Sequence, residues 1–251
     1  WKNIPICCLF VVLFVKIVIR GFIMISVVLA AYKGEKYIFE QVRSILSQLN
    51  AEDELIISDD YPLGDTKKAI SDFIENDKRI VYIQGPGKGV IKNFEFAISK
   101  ARGDIIFLAD QDDVWLDGKV EAVTAEIRKG TDLVLHNAII TDGELNETGE
   151  TAFRINNTQK GFLRNIIKNS YQGCCMAFDA KIKKYILPFP SKIPMHDQWI
   201  GLMAEKHGKV SLIEEPLILY RRHGGNVTGN GSGFLTKLRW RADIVLSVLG
   251  R

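Results

Sequence analysis

Residues 105–115 of the chain read IIFLADQDDVW. The first five are apolar, and three carboxylates follow within the next four positions, at Asp110, Asp112 and Asp113. An unbroken apolar run predicts a strand buried on both faces, whose carboxyl end would present the acidic side chains at a sheet edge. Carboxylates this close together repel one another unless a hard divalent cation, which prefers oxygen ligands, lies between them. Considered alone, the three aspartates are also compatible with an acidic loop or a helix cap.

The composition fits one large or two small globular domains with a substantial core, since the 251 residues are 47% hydrophobic. The net charge of +3 is too small to indicate a nucleic-acid-binding protein, and no basic stripe with interleaved aromatic residues is found. The four cysteines form two adjacent pairs, at 7–8 and 174–175, without zinc-site spacing. They indicate no disulfide framework, which favours a reducing, cytoplasmic location.

Residues 1–23 form an apolar N-terminal extension that differs from the rest of the chain. The run from Ile4 to Ile19 contains Lys16 and no acidic residue, and Arg20 follows it. It is short for a membrane-spanning helix and lacks the cleavage site of a signal peptide. We interpret the extension as upstream read-through before a natural start at Met24, with a membrane segment as the alternative. Without it the net charge falls from +3 to zero, because it carries three basic residues and no acid.

From Met24 onward, strand-like apolar runs alternate with segments of helical periodicity. Strands are predicted over 25–29, 54–58, 79–84, 104–109 and 132–140, and helices over 35–49, 66–76, 92–101 and 119–129. This alternation predicts an α/β fold with a parallel sheet covered by helices on both faces. Ligands of such folds bind beyond the carboxyl ends of the strands. The glycine spacings of dinucleotide-binding sites and P-loops are not found, which excludes both as motifs.

The second half of the chain is less regular. A proline-rich stretch over 188–194 precedes a predicted helix over 196–207 and an extended segment over 210–219. A polar, glycine-rich stretch follows, and residues 234–251 mix leucine, tryptophan and isoleucine with basic residues. We therefore divide the chain into the extension, a main domain over 24–233 and a basic amphipathic C-terminal segment.

Five motifs in a fixed order carry a family resemblance. They are ISVVLAAY at 25–32, IISDD at 56–60, GVIKNF at 89–94, LADQDDVW at 108–115 and HDQW at 196–199. Together they resemble family 2 glycosyltransferases of the GT-A fold, in the form found in bacterial rhamnosyltransferase-like members, over residues 24–230. The resemblance implies a Rossmann-like, mostly parallel sheet with helices on both faces and an acceptor-binding second half. One departure is YPLG at 61–64, where the family usually has Gly-Ser-Thr-Asp, and Pro62 restricts this turn.

The resemblance implies an inverting, metal-dependent transfer of a sugar from a UDP- or dTDP-sugar to a hydroxyl of a glycan or lipid-linked acceptor, in bacterial surface polysaccharide synthesis. Asp112 is then expected to bind Mn²⁺ or Mg²⁺, and His223 to complete the metal shell. Asp197 is the expected general base, which takes the proton of the attacking hydroxyl. A helix cap is the alternative role of Asp197.

The remaining expected site residues bind the nucleotide-sugar. Tyr32 would lie against the base, Ala30 would supply backbone contacts, and Asp60 would accept the imide N–H of uracil or thymine. Ordinary packing is the alternative for Tyr32, a turn aspartate for Asp60 and a helix cap for Asp113. Asp110 would contact the ribose or a metal-bound water, and Asp113 would orient the site or accept from the donor sugar. Asn93 and Arg222 would approach the phosphates, with a solvated helix start as the alternative for Asn93 and a basic edge strand for Arg222.

Two other functions compete with this interpretation. A degenerate glycosyltransferase would bind nucleotide or act as a scaffold without turnover. A phosphohydrolase with an Asp-x-Asp nucleophile would need that motif after its first strand, whereas here it follows the fourth. The segment over 234–251 predicts either an interfacial helix, with peripheral contact at the inner face of the plasma membrane, or an ordinary docking helix.

Overall fold

A computed structural model describes residues 23–224 and 233–251. Except for Ile23, the predicted N-terminal extension lies outside the described residues. The first half of the chain forms a parallel sheet in the order β3-β2-β1-β4. Its elements are β1 (Ile25–Ala31), α1 (Ile38–Leu46), β2 (Glu54–Asp59), α2 (Thr66–Ala69), α3 (Ser71–Asn76), β3 (Ile80–Gln84), α4 (Val90–Lys100) and β4 (Ile105–Asp110).

The second half continues the same sheet. Its elements are β5 (Val114–Trp115), α5 (Lys119–Arg128), β6 (Leu133–Thr141), β7 (Glu147–Thr151), α6 (Ala152–Asn156), α7 (Phe162–Ile167), β8 (Met176–Asp179), α8 (Lys183–Ile186), α9 (His196–His207), β9 (Val210–Arg221) and α10 (Phe234–Leu249). Beyond β4 the order is β8-β6-β9-β5, and β7 pairs with β6. Strand β8 is antiparallel to both β4 and β6, so β6 and its parallel neighbour β9 run in the direction of β4.

Hydrophobic clusters cover both faces of the sheet, which explains the unbroken apolar strands. Successive side chains of a strand point to opposite faces. In β1, Val27 and Leu29 belong to the cluster that contains α1, whereas Val28 belongs to the cluster that contains Phe94 and Trp199. The predicted α/β fold with helices on both faces is confirmed, although the sheet is mixed rather than parallel throughout.

Two predicted segments differ in detail from the structure. The single helix expected over 66–76 is wrong, because Ile70 leaves the helical region (φ −125°, ψ 19°) and divides the segment into α2 and α3. The C-terminal segment forms helix α10, whose buried residues Ile244 and Val248 pack on the domain. Within the described ranges, no helix is both long enough and apolar enough to cross a bilayer.

Candidate active site

A cleft of about 880 Å³ opens beyond the carboxyl ends of β1, β2 and β4, where the sequence predicts ligand binding. Residues from both halves of the chain line it, including Gln172 and Tyr220 from the second half. The predicted site residues in its wall are Ala30, Tyr32, Asp60, Asn93, Asp110, Asp112, Asp197 and Arg222. The tertiary fold therefore brings together motifs that lie far apart in the sequence.

Asp113 lies beneath the cleft instead of in its wall. Its side chain is fully buried, and its Oδ1 accepts a hydrogen bond from the backbone N–H of Arg221 (3.2 Å). The N-cap of α5 is Gly118, so the helix-cap interpretation of Asp113 is wrong. This contact holds the end of β9 next to the acidic loop. Burial, together with the charges of Asp112 and Asp110, raises the pKa of the Asp113 carboxyl well above its usual range.

Asp110 and Asp112 form the acidic floor of the cleft. Ligand atoms of Asp110, Asp113 and Cys174 lie within 4.8 Å of one another. Burial raises the pKa of Asp110 to about 7, and the nearby carboxylates of Asp112 and Asp197 add to this effect. Such crowding makes the ionised state costly, and positive charge supplied by a ligand would relieve that cost.

Asp112 and His223 form a pair at the open edge of this floor. The Oδ2 of Asp112 lies 2.8 Å from the Nε2 of His223, whose ring contacts the ring of Tyr37 (centroids 4.7 Å apart). Both side chains of the pair are partly exposed. A carboxylate oxygen and an imidazole nitrogen held side by side suit Mn²⁺, and the oxygen-rich floor also suits Mg²⁺. The residues present thus fit the divalent cation expected from the sequence.

Arg221 links the two segments that carry this pair, since Asp112 follows β4 and His223 follows β9. Its guanidinium is buried over the ring of Tyr37 (4.5 Å), and Nε donates to the backbone oxygen of Asp112 (2.8 Å). The same group donates to the backbone oxygen of Gly143 (2.7 Å) and forms an ion pair with Glu40 (2.5 Å). No local pattern predicts this role, because it depends on partners from distant elements.

Asp60 organises the side of the cleft at which the sequence analysis expects the nucleotide. Its two carboxylate oxygens accept hydrogen bonds from the backbone N–H groups of Gly87 and Gly89, each at 2.7 Å. A carboxylate has about four lone-pair sites, so Asp60 retains capacity to accept an imide N–H. Asn93 also lines the cleft; its Nδ2 donates to the backbone oxygen of Ser58 (2.8 Å), and its Oδ1 accepts from the Ser58 hydroxyl (2.6 Å). These bonds link α4 to β2 and fix the side chain at the wall of the cleft.

Two tyrosines form an exposed aromatic surface beside Asp60. Tyr32 is 55% exposed and meets Tyr61 edge to face, with centroids 5.7 Å apart. Gln111 holds Tyr32 by accepting from its backbone N–H (2.8 Å) and donating to its backbone oxygen (3.0 Å). Sequence reasoning missed Tyr61 and Gln111. The altered turn at 61–64 could have pointed to Tyr61, and the middle position of the Asp-x-Asp motif could have pointed to Gln111.

Asp197 occupies the first turn of α9 and lines the same cleft. The N-cap is Met195, so Asp197 is not the cap of this helix. Its Oδ1 accepts hydrogen bonds from the Nδ2 of Asn169 (3.1 Å) and the backbone N–H of Gln198 (2.5 Å). Burial outweighs these bonds and raises the pKa of Asp197 to about 7. A carboxylate with this pKa is suited to take a proton near neutral pH. The sequence did not single out Asn169.

The fold and this cleft define the class of protein as a GT-A glycosyltransferase. The sequence model of the Glycosyl transferase family 2 matches residues 26–186, which is more than half of the chain. The chain belongs to this family. The family expectation from the five motifs is thereby confirmed.

Individual relatives agree with this assignment. An uncharacterized glycosyltransferase of Nostoc sp. is 26% identical over 80% of this chain and 66% of its own length. The Escherichia coli UDP-Glc:alpha-D-GlcNAc-diphosphoundecaprenol beta-1,3-glucosyltransferase WfgD is 24% identical over 82% of this chain and 80% of its own. Among solved structures, Staphylococcus aureus TarS in complex with UDP-GlcNAc superposes with a TM-score of 0.70 at 19% identity, covering 89% of this chain and 66% of that one. The chain thus spans about two thirds of the length of some of its relatives.

Proposed function

We propose that this protein is an inverting, metal-dependent glycosyltransferase that moves a sugar from a UDP- or dTDP-sugar to a hydroxyl of a glycan or lipid-linked acceptor. One observation carries the proposal: Asp112 and Asp197 line the same cleft, and His223 contacts the carboxylate of Asp112. The pair suits a cation that neutralises a diphosphate, and Asp197, with a pKa of about 7, suits proton removal.

The reaction is a single displacement at the anomeric carbon. Asp197 takes the proton of the acceptor hydroxyl as its oxygen forms the new bond to that carbon. The bond between the carbon and the diphosphate oxygen breaks, and the nucleoside diphosphate leaves with the electron pair. Because attack and departure occur on opposite faces, the configuration at the anomeric carbon is inverted.

The chain's own residues position the donor for this step. Tyr32 presents its ring to the base, while Asp60 accepts the imide N–H of uracil or thymine. Arg222 lines the cleft and provides a positive charge for the diphosphate. A Mn²⁺ or Mg²⁺ ion held by Asp112 and His223 would supply further positive charge that stabilises the leaving group.

The proposed acceptor is a glycan of bacterial surface polysaccharide synthesis, for example one linked to a lipid. Rhamnose is one candidate for the sugar that is transferred. The similar E. coli enzyme acts on a diphosphoundecaprenol-linked sugar, which supports this class of acceptor. Helix α10 exposes Leu238, Leu246 and Leu249 beside basic residues such as Arg239. This composition supports a peripheral position at the inner face of the membrane.

The direct test is release of nucleoside diphosphate by the wild-type protein from a panel of UDP- and dTDP-sugars, with Mn²⁺, with Mg²⁺ and with chelator. We expect metal-dependent release from at least one donor. Release from none, by a folded protein that still binds UDP, would favour the alternative of a degenerate glycosyltransferase that binds nucleotide without turnover.

Tyr32→Ala is expected to weaken UDP binding about 5- to 100-fold, because stacking of a base on an aromatic ring is worth about 1–3 kcal/mol. Calorimetric titration with UDP measures this effect. Tyr32→Phe keeps the ring and is the matched control, which should bind UDP as the wild type does. Equal affinity of the alanine variant would show that Tyr32 only packs against Tyr61.

A further inference from the structure

His196 lies next to the proposed base, and the mechanism above does not use it. Its side chain is 5% exposed, lines the cleft and stacks on Phe94 with ring centroids 4.1 Å apart. Neither Nδ1 nor Nε2 has a hydrogen-bond partner among the residues that the structure describes. Both nitrogens are also shielded from solvent. Buried polar atoms are hydrogen-bonded in the large majority of cases, so both call for a partner, which a ligand in the cleft would supply by shifting the adjacent wall.

The His196 ring lies between helix α4 on the expected nucleotide side of the cleft and helix α9, which carries Asp197. Phe94 belongs to α4, whose first turn borders the nucleotide side, whereas His196 begins α9, which carries Asp197. On the ring edge, a Cβ built on Gly173 would lie 2.7 Å from Nε2. A side chain larger than glycine at position 173 would therefore crowd this nitrogen.

The electrostatic environment selects the kind of partner. Burial lowers the pKa of His196 to about 3, so the ring is neutral at physiological pH. A neutral imidazole offers one donor and one acceptor, and a hydroxyl group can likewise donate and accept. A phosphate oxygen accepts only and would favour a protonated ring. The diphosphate is thus a poor partner, and a sugar hydroxyl is a good one.

We propose that His196, backed by Phe94 and given room by Gly173, forms a subsite that binds one neutral hydroxyl of a sugar in the cleft. The hydroxyl belongs to the transferred sugar or to the acceptor sugar, and this inference rests on the proposed function. His196 acts here as a binding residue that contributes to sugar selectivity, while proton transfer remains with Asp197.

The test compares sugars that have or lack single hydroxyls. The donor arm measures UDP release into water from the best UDP-sugar and from its deoxy analogues. The acceptor arm measures transfer to N-acetylglucosamine diphosphate carrying a short alkyl chain, and to deoxy forms of that sugar. Loss of the bound hydroxyl should lower kcat/KM about 10- to 100-fold in the wild type, since it leaves a buried polar group unpaired.

The variant His196→Phe keeps a stacked ring without nitrogen atoms. In this variant we expect the same analogue to react as fast as its parent sugar, in the arm to which the hydroxyl belongs. His207→Phe is the matched control, because His207 ends the same helix and stacks on Tyr185 (4.0 Å) outside the cleft lining. It should discriminate between the sugars as the wild type does. His196→Gln, which restores a donor and an acceptor, should recover part of the discrimination and serves if the phenylalanine variant fails to fold.

A second readout needs no turnover. The chain has four histidines, and nitrogen-15 spectra of their rings, assigned with His196→Phe and His196→Gln, report the partner of each ring nitrogen. We expect the His196 signals to move with the sugar-containing ligand and to stay in place with UDP alone. Unmoved signals, or discrimination unchanged by His196→Phe in both arms, would overturn the subsite. A wild type that neither binds nor cleaves any donor would instead overturn the proposed function, and this inference with it.

Discussion

Asp197→Asn is expected to abolish sugar transfer while making the protein more stable. Removal of a general base typically costs about 10²- to 10⁴-fold in rate, and asparagine cannot take the proton of the attacking hydroxyl. Asparagine has nearly the same shape, so UDP affinity should remain within about twofold. Rates of UDP release and calorimetric titration with UDP measure the two quantities separately.

The stability gain follows from the pKa of the carboxyl. Burial raises the pKa of Asp197 from 3.8 to about 7, so the folded state binds this proton more tightly than the unfolded state. The protonated carboxyl of Asp197 contributes fully to the free energy of unfolding below about pH 4. This contribution is lost as pH rises toward 7, because the buried carboxyl then ionises and destabilises the fold. Asparagine avoids this loss. We expect Tm to rise by about 3–6 °C at pH 7.5, on the basis of about 1–2 kcal/mol, and the difference to close near pH 4.

Asp72→Asn is the matched control for this prediction. Asp72 also lies in the first turn of a helix, α3, but it is exposed and outside the cleft lining. The Asp72→Asn variant should keep the wild-type rate of UDP release, and its Tm should differ from that of the wild type by no more than about 1 °C. The wild-type rate should also fall about tenfold for each pH unit below 7 as Asp197 takes up its proton. A fully active Asp197→Asn variant would remove Asp197 from the mechanism.

Sequence patterns predicted those parts of the fold in which local signals and tertiary packing agree. Strands β1 and β4 were found because burial on both faces requires continuous apolar runs. The predicted bounds of α9, 196–207, match the structure. The short elements α7 and β8 were not predicted, since six and four residues carry too little periodicity to identify an element.

Residues of the candidate site could be predicted only where their position at the end of a strand determines their location in the fold. Asp60 and Asp112 follow strand ends, and the carboxyl ends of parallel strands meet at one edge of a sheet. The role of Arg221 was not predictable, because its partners Glu40 and Asp112 lie 181 and 109 residues away in the chain. For Asn93 the position was right, but its bonds to the neighbouring strand depend on tertiary contacts that no local pattern encodes.

Asp112→Asn is expected to remove the metal dependence of nucleotide binding. In the wild type, UDP or dTDP should bind more tightly with Mn²⁺ or Mg²⁺ than with chelator. The neutral amide of asparagine is a much weaker ligand for a divalent cation than a carboxylate. Since loss of an outer partner of a metal ligand already costs about 10- to 100-fold in metal affinity, loss of the ligand itself should cost at least about 100-fold. Calorimetry with and without metal measures this difference.

The fold should survive this substitution, because the hydrogen bond from Arg221 to the backbone oxygen of residue 112 does not need the carboxylate. Asp117→Asn is the matched control: Asp117 follows β5, five residues after Asp112, is exposed and does not line the cleft. It should keep the metal dependence of the wild type. Metal-independent UDP binding by the wild type, or unchanged metal dependence in Asp112→Asn, would contradict the assignment of Asp112. The Asp112–His223 contact would then be a hydrogen bond that only holds the end of β9 against the acidic loop.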